Sequence, residues 1–135
     1  MGKVLITEIQ KRFADADSLG HVNNINLQHY FDCGKMEFYS RVMGKRVEAD
    51  DESLILVSTH ANYYAQTHLY DDIFVETMVE KIGTKSVTFF QRLIDRKTGR
   101  VNSDCRTVAV AYDFPKQETF DLKPEWRSTF EEYLI

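Results

Sequence analysis

The sequence predicts an α+β domain in which one apolar helix is wrapped by a single antiparallel sheet of roughly five strands. Three observations predict it: a helical stripe in the first third of the chain, four strand-like segments after it, and only short turns between consecutive strands. The 135 residues fit one domain with a core of its own, residues 1–135.

Taken in order, residues 4–13 mix β-branched and polar residues in partial alternation (Val4, Ile6, then Ile9), which predicts a first strand ending near Ala14. The polar stretch from Asp15 to Asn24 follows as a loop. From Asn26 onward Leu27, Phe31, Gly34, Phe38 and Val42 recur at the spacing of one helical face. Asn23, Asn24 and Asn26 offer capping side chains at its start, and Gly44 supplies the permissive residue that ends many helices. Gly34, in mid-helix, costs about 1 kcal/mol relative to Ala, so the expectation is a packing glycine under a closely approaching backbone or sheet.

A charged loop from Val47 to Ser53 leads to strands over Leu54–Ala65, Ile73–Ile82, Ser86–Asp95 and Val101–Asp113. The connections Gly83-Thr84-Lys85 and Arg96-Lys97-Thr98-Gly99 are hairpin turns rather than crossovers. The tail carries both prolines, and Pro124 opens a short helix through Trp126, Phe130 and Leu134 that is placed to cover a sheet edge.

Composition narrows the function classes. Seventeen Lys plus Arg against 21 Asp plus Glu give a net charge of −4, which argues against a nucleic-acid surface. No basic leader with an apolar run opens the chain and no long apolar segment follows, so the expectation is a cytoplasmic protein without membrane insertion. Cys33 and Cys105 lie far apart and His21, His29, His60 and His68 are scattered, so neither a disulfide framework nor a metal is expected. His60 is read as a half-buried structural histidine, and His29 and His68 carry no argument for function.

The loop from Phe13 to Asn26 gathers two carboxylates, an imidazole and three carboxamides just ahead of a helix start. A helix N-terminus presents unpaired N–H groups and partial positive charge, so it can stabilise charge developing on a carbonyl oxygen, and a carboxylate beside it is half of a hydrolytic site. The same residue types are ordinary in loops and caps, and on pattern alone that plainer reading has the greater weight.

The run Asp15-x-Asp17-x-x-Gly20-His21-Val22-Asn23-Asn24-x-Asn26, followed by Tyr30-Phe31-Asp32 and Glu37, resembles the 4-hydroxybenzoyl-CoA thioesterase family of hotdog proteins. The likeness extends through Asn62-Tyr63, Asp72-x-x-Val75, Gly83-Thr84-Lys85-Ser86 and the strand to Asp113, and residues after Pro115 lie outside it. It implies a hotdog core over about residues 3–113 with an extension over 114–135, and hydrolysis of an acyl-CoA thioester to free acid and coenzyme A. The catalytic carboxylate falls on Asp17, the polarising helix-start amide near Asn24, and His21 beside the site in a capping or supporting role. Leu27, Asp32, Gly34 and Lys35 depart from the family pattern, which bears on pocket shape and helix packing rather than on Asp17.

Chemically, Asp17 can attack the thioester directly or activate water, and the residues leave both open. Asp15 is expected as a solvated carboxylate at a strand end; were it to face Asp17 it would raise that group's pKa. Gly83, Thr84, Lys85 and Ser86 form either a plain solvated turn or, as the resemblance implies, the seat of coenzyme A, with Arg92, Arg96 and Lys97 as other phosphate contacts. Coenzyme A enters as part of the substrate and no separate cofactor is expected. Acyl carrier protein thioesters are an alternative substrate, a non-catalytic acyl-thioester binder an alternative function, and a dehydratase is disfavoured because His29 sits off the apolar stripe. Tyr30, Phe38, Tyr39, Tyr63 and Tyr64 line a pocket or belong to the core. A single sheet around one helix leaves strand edges open, so a homodimer or homotetramer is expected.

Overall fold

One face of the helix is buried as the stripe requires: Leu27, Phe31, Gly34 and Phe38 are all inaccessible or nearly so. The computed structural model describes residues 2–44 and 52–135. Within them α1 (Asn24–Glu37) begins two residues before the predicted start, because the side chain of Asn23 accepts from the N–H of Asn26 at 3.0 Å and closes the first turn. The helix runs on as a π-helical turn, Phe38–Val42, and Gly44 follows with a φ of 67°.

Around α1 curls an antiparallel sheet of β1 (Leu5–Glu8), β2 (Glu52–Tyr63), β3 (Ile73–Ile82), β4 (Ser86–Asp95) and β5 (Val101–Asp113) in the order β1-β3-β4-β5-β2. β3, β4 and β5 keep the predicted bounds and form a meander through the two predicted turns. β2 begins at Glu52, so only the end of the expected charged loop lies in the described residues, and it stops at Tyr63 rather than Ala65. β1 is shorter than predicted: the chain leaves the sheet after Glu8 and tightens into a 3-10 turn at Phe13–Asp15. A two-residue strand, β6 (Glu118–Thr119), pairs with β5 and has no signal in the sequence.

Apolar side chains pack in two clusters, one at each end of the helix. Val22, Leu27, Tyr30 and Phe31 meet Ile73, Val75, Leu93 and Cys105 at the N-terminal end. Phe38, Phe89 and Phe130 centre the other, where α2 (Pro124–Glu132) adds Trp126 and Phe130. The residues after α2 cover a sheet edge as expected: Val79 donates to Tyr133 O and accepts from Ile135 N–H, both at 2.9 Å, beyond the reach of β1. Leu134 is not buried with Trp126 and Phe130; it lies beside Val79 and stays partly exposed.

Between the clusters the helix meets the sheet most closely at Gly34. A Cβ there would stand 2.7 Å from Gln91 Nε2 and 2.9 Å from Thr77 Oγ1. Gln91 Nε2 donates to the Phe31 carbonyl at 2.8 Å and to Thr77 Oγ1 at 3.0 Å, so a fully buried amide ties the helix backbone to two strands. Gly34→Ala should therefore lower stability by about 1–2 kcal/mol, overpacking outweighing the roughly 1 kcal/mol that Ala gains in helix propensity. Urea unfolding of the two proteins measures this, and a variant as stable as the wild type would mean that the amide yields without cost.

Candidate active site

The loop ahead of α1 is a small hairpin closed by its own polar groups. Asp17 N–H donates to the His21 carbonyl at 2.8 Å, and Gly20 N–H donates to the Asp17 carbonyl at 3.0 Å with Gly20 at a φ of 77°. The Asp17 carboxylate caps the turn, Oδ1 accepting from the N–H groups of Leu19 at 2.9 Å and His21 at 3.2 Å. Among the described residues these bonds all fall on Oδ1, and the side chain is exposed.

A second segment laces this hairpin in place. Val22 N–H donates to the Thr67 carbonyl at 2.8 Å and Leu69 N–H to the Gly20 carbonyl at 3.3 Å, with His21 and His68 facing each other between them. Their rings meet edge to face at 4.8 Å. Thr67 is itself fixed by β5, its hydroxyl accepting from Asn102 Nδ2 at 2.9 Å, while the Asn102 carbonyl accepts from the N–H groups of Tyr64 and Ala65. Buried Thr67 and Asn102 thus transmit the position of the sheet to the loop that carries Asp17.

Together these segments and the helix start enclose a cavity of about 440 Å³ whose walls include Asp17, His21, Asn23, Asn24, Tyr63 and Thr67. Asn24 is the first helical residue; its N–H and that of Ile25 have no partner within the described chain, while Asn26 and Leu27 donate to Asn23. Asp17, His21 and Asn24 are therefore brought to one cavity. Of the aromatic candidates, Tyr63 and Tyr64 line it, and Tyr30, Phe38 and Tyr39 are core.

Asp15 is not the solvated carboxylate expected from its place in the chain; it is buried. Its carboxylate accepts from the Arg12 N–H and guanidinium and, at 2.5 Å, from the Tyr30 hydroxyl, and its carbonyl accepts from Asn26 Nδ2. Burial alone pushes the carboxyl up, but the Arg12 N–H, the Tyr30 hydroxyl and the Arg12 charge outweigh it and hold it below its ordinary value of 3.8. The Tyr30 hydroxyl is pushed up, by burial first and by Asp15 second. Asp15 is the bolt between loop and helix, and His60, expected half-buried, is an exposed residue of β2.

Gly83, Thr84, Lys85 and Ser86 do not line the Asp17 cavity. They join the far end of β3 to β4, where the Gly83 carbonyl accepts from Arg127, the Thr84 carbonyl from Leu122 N–H and the Lys85 carbonyl from Ala111 N–H. The Lys85 ammonium is exposed and, among the described residues, bonds only to Thr119, at 3.4 Å. Of the other phosphate candidates, Arg92 is engaged in an ion pair with Glu76 and Arg96 in ion pairs with Glu8 and Asp72, while Lys97 is an exposed residue of the turn between β4 and β5. Sequence reasoning missed Thr67, His68 and Asn102; nothing local marks them, since their role comes from pairing with a segment some 45 positions away in the chain.

A single antiparallel sheet curled around one central helix is the hotdog architecture. The chain belongs to the thioesterase-like superfamily, whose family model matches residues 12–130, a span that runs past Pro115 into α2. No curated protein matches it in sequence. Among solved structures it is similar to a predicted thioesterase from Bacillus stearothermophilus (21% identity, 98% of each chain covered, TM-score 0.87). A 1,4-dihydroxy-2-naphthoyl-CoA thioesterase from Synechocystis is similar at 16% identity, over 96% of this chain and 97% of that one, with a TM-score of 0.84. A 12:0-ACP thioesterase from Umbellularia californica is similar at 15% identity and a TM-score of 0.81, over 98% of this chain and 54% of that one. Identities this low speak for the fold. No helix among the described residues is long and apolar enough to cross a membrane.

The site predicts an acid response. A carboxyl with a folded pKa below its unfolded one stabilises the fold fully above the unfolded value, and that contribution fades as pH falls through the folded value. The stabilisation from Asp15 is thus complete at neutral pH, begins to fade below about pH 4 and is lost as pH falls through the lowered folded value. Asp15→Asn should cost about 2 kcal/mol at pH 7 and flatten the fall in thermal midpoint between pH 5 and pH 2, as charged hydrogen bonds of this kind do. Parallel melting curves across that range, with no difference at pH 7, would rule out Asp15 as an anchor.

Proposed function

We propose that this protein hydrolyses acyl-coenzyme A thioesters, with Asp17 supplying the negative charge that drives the reaction. The observation that carries this reading is the exposed carboxylate with one oxygen tied to two backbone N–H groups and the other unengaged among the described residues, in the same cavity as Asn24, the first residue of the helix, whose N–H and that of the next residue have no partner there. The thioester carbonyl oxygen lies toward those helix-start donors, which stabilise the oxyanion as it forms. Along the nucleophilic route, Asp17 Oδ2 bonds to the carbonyl carbon, the C–S bond breaks and the thiolate leaves to take a proton from water. The hydroxide so formed cleaves the anhydride, giving the acid and restoring the Asp17 carboxylate. Along the general-base route Asp17 takes a proton from the water that attacks, and passes it to the departing thiolate. His21 serves through its backbone, whose N–H and carbonyl hold the Asp17 turn.

Coenzyme A rather than acyl carrier protein is the preferred thiol carrier, with Gly83 to Ser86 and the unpaired charge of Lys85 as the seat for its phosphates. That turn is remote from Asp17 in one chain, so the reading requires the substrate to span two. The edge that would join them is β2, whose free side has no partner among the described residues and whose Leu56 and Val57 are exposed. An uncovered twelve-residue edge is the liability that pairing with a second copy removes. Light scattering at micromolar concentration should give a dimer or tetramer; a monomer at that concentration would remove the shared site.

Asp17→Asn keeps size and hydrogen-bonding reach but removes the charge either route needs. Turnover of the best acyl-CoA substrate should fall about a hundredfold or more, with binding and thermal midpoint little changed. In the same assays Lys85→Ala should raise KM and leave kcat, since a contact remote from the carbonyl acts alike on ground and transition states. Hydrolysis by Asp17→Asn within a few-fold of wild type would take the chemistry away from this residue. A wild type that binds every ester offered and hydrolyses none would make the protein a carrier.

A further inference from the structure

The segments that hold Asp17 build a second cavity adjoining the first, and Asp17 belongs to the walls of both. This second space, about 700 Å³, is bounded by Phe13, Leu19, Leu69 and Tyr70, with the Asp17 carboxylate and the His68 imidazole also among its walls. Phe13, Leu19 and Tyr70 are 86%, 75% and 93% exposed, so the folded chain gains almost nothing by having apolar side chains there. They stand on backbone that is fixed: Leu19 N–H is bonded to the Asp17 carboxylate, Leu69 N–H to the Gly20 carbonyl, and Phe13 opens the turn that Asp15 locks. Large apolar side chains that are exposed, clustered and held rigidly mark a binding surface rather than a spare part of the core.

The two cavities differ in chemistry as the two arms of a thioester differ. Asn23, Asn24 and Thr67 in the first offer donors and acceptors suited to the amide-bearing thiol arm, and the second is walled chiefly by carbon. The reacting carbonyl joins the arms, and Asp17 stands where the cavities meet. Resting on the hydrolase reading above, we infer that the acyl group lies along Phe13, Leu19 and Tyr70, so that the substrates are thioesters of uncharged, apolar acids long enough to reach from Asp17 to those side chains. Short or charged acyl groups leave this surface wet and gain nothing from it.

The probes are two thioethers that cannot be hydrolysed, S-dodecyl-coenzyme A and S-ethyl-coenzyme A, titrated calorimetrically into the wild type, Leu19→Ser and Tyr70→Ser. The dodecyl compound should bind the wild type at least tenfold more tightly than the ethyl one. Each variant should weaken dodecyl binding about tenfold, the scale of one buried apolar side chain, and leave ethyl binding unchanged. Because the replaced side chains are exposed, thermal midpoints should stay with the wild type, and Phe13→Ser serves if either variant melts early. Equal affinity of the wild type for the two thioethers, variants that bind both as the wild type does, or variants that weaken both alike would each overturn the inference. So would a variant that binds normally but shifts the oligomeric state in light scattering, which would make the patch an interface between copies. Thioether binding needs no turnover, so a wild type that shows the chain-length preference yet hydrolyses no ester would refute the hydrolase reading while leaving the acyl surface in place.

Discussion

Everything in this fold depends on how deeply one helix sinks into the curl of the sheet, and that depth is set at Gly34. No side chain stands between the helix backbone and the strands there, and the Gln91 amide bridges the Phe31 carbonyl to Thr77 in the space so defined. A buried amide that must satisfy its donors fixes orientation as well as distance, which apolar contact alone does less sharply. The helix start, and with it the donors of Asn24 and Ile25, inherits its place from that contact.

The loop before the helix is held by a different kind of bond. Few of its side chains are buried; backbone groups and short polar side chains do the holding, from Asp17 through Gly20 and Thr67 to Asn102. Such lacing leaves a carboxylate exposed to substrate while keeping its position, which an apolar plug cannot do. Asp15 completes the arrangement by anchoring the outer end of the loop to Tyr30 and Asn26 of α1. Of two carboxylates two positions apart, one is buried and structural and the other stands exposed in the loop.

Much of this was legible in the sequence because the governing patterns are local. The helical stripe, the Asn23 cap, the meander of β3, β4 and β5 and the packing role of Gly34 each follow from periodicity, propensity or steric reasoning over a few residues. The opposite fates of Asp15 and Asp17 were not legible, since burial of Asp15 rests on Tyr30, half a helix away. Nor was the part played by Thr67, His68 and Asn102, because pairing between segments distant in the sequence leaves no trace in residue type. The shortness of β1 has the same origin: its alternation continues past Glu8, but Asp15 draws the chain out of the sheet.

The order of the strands has a consequence in time. β3, β4 and β5 are neighbours in chain and in space and can pair by closing turns of a few residues, whereas β2 must cross the whole meander to reach β5. Contacts that close long loops form slowly, because the entropy of closure is spent before the pairing repays it. The segment that carries Thr67 leaves from the end of β2, so the carboxylate loop finds its clamp only when that strand has docked. In a nascent chain the helix and meander can exist before the carboxylate loop is clamped, and its organisation arrives with the docking of β2 rather than with the core.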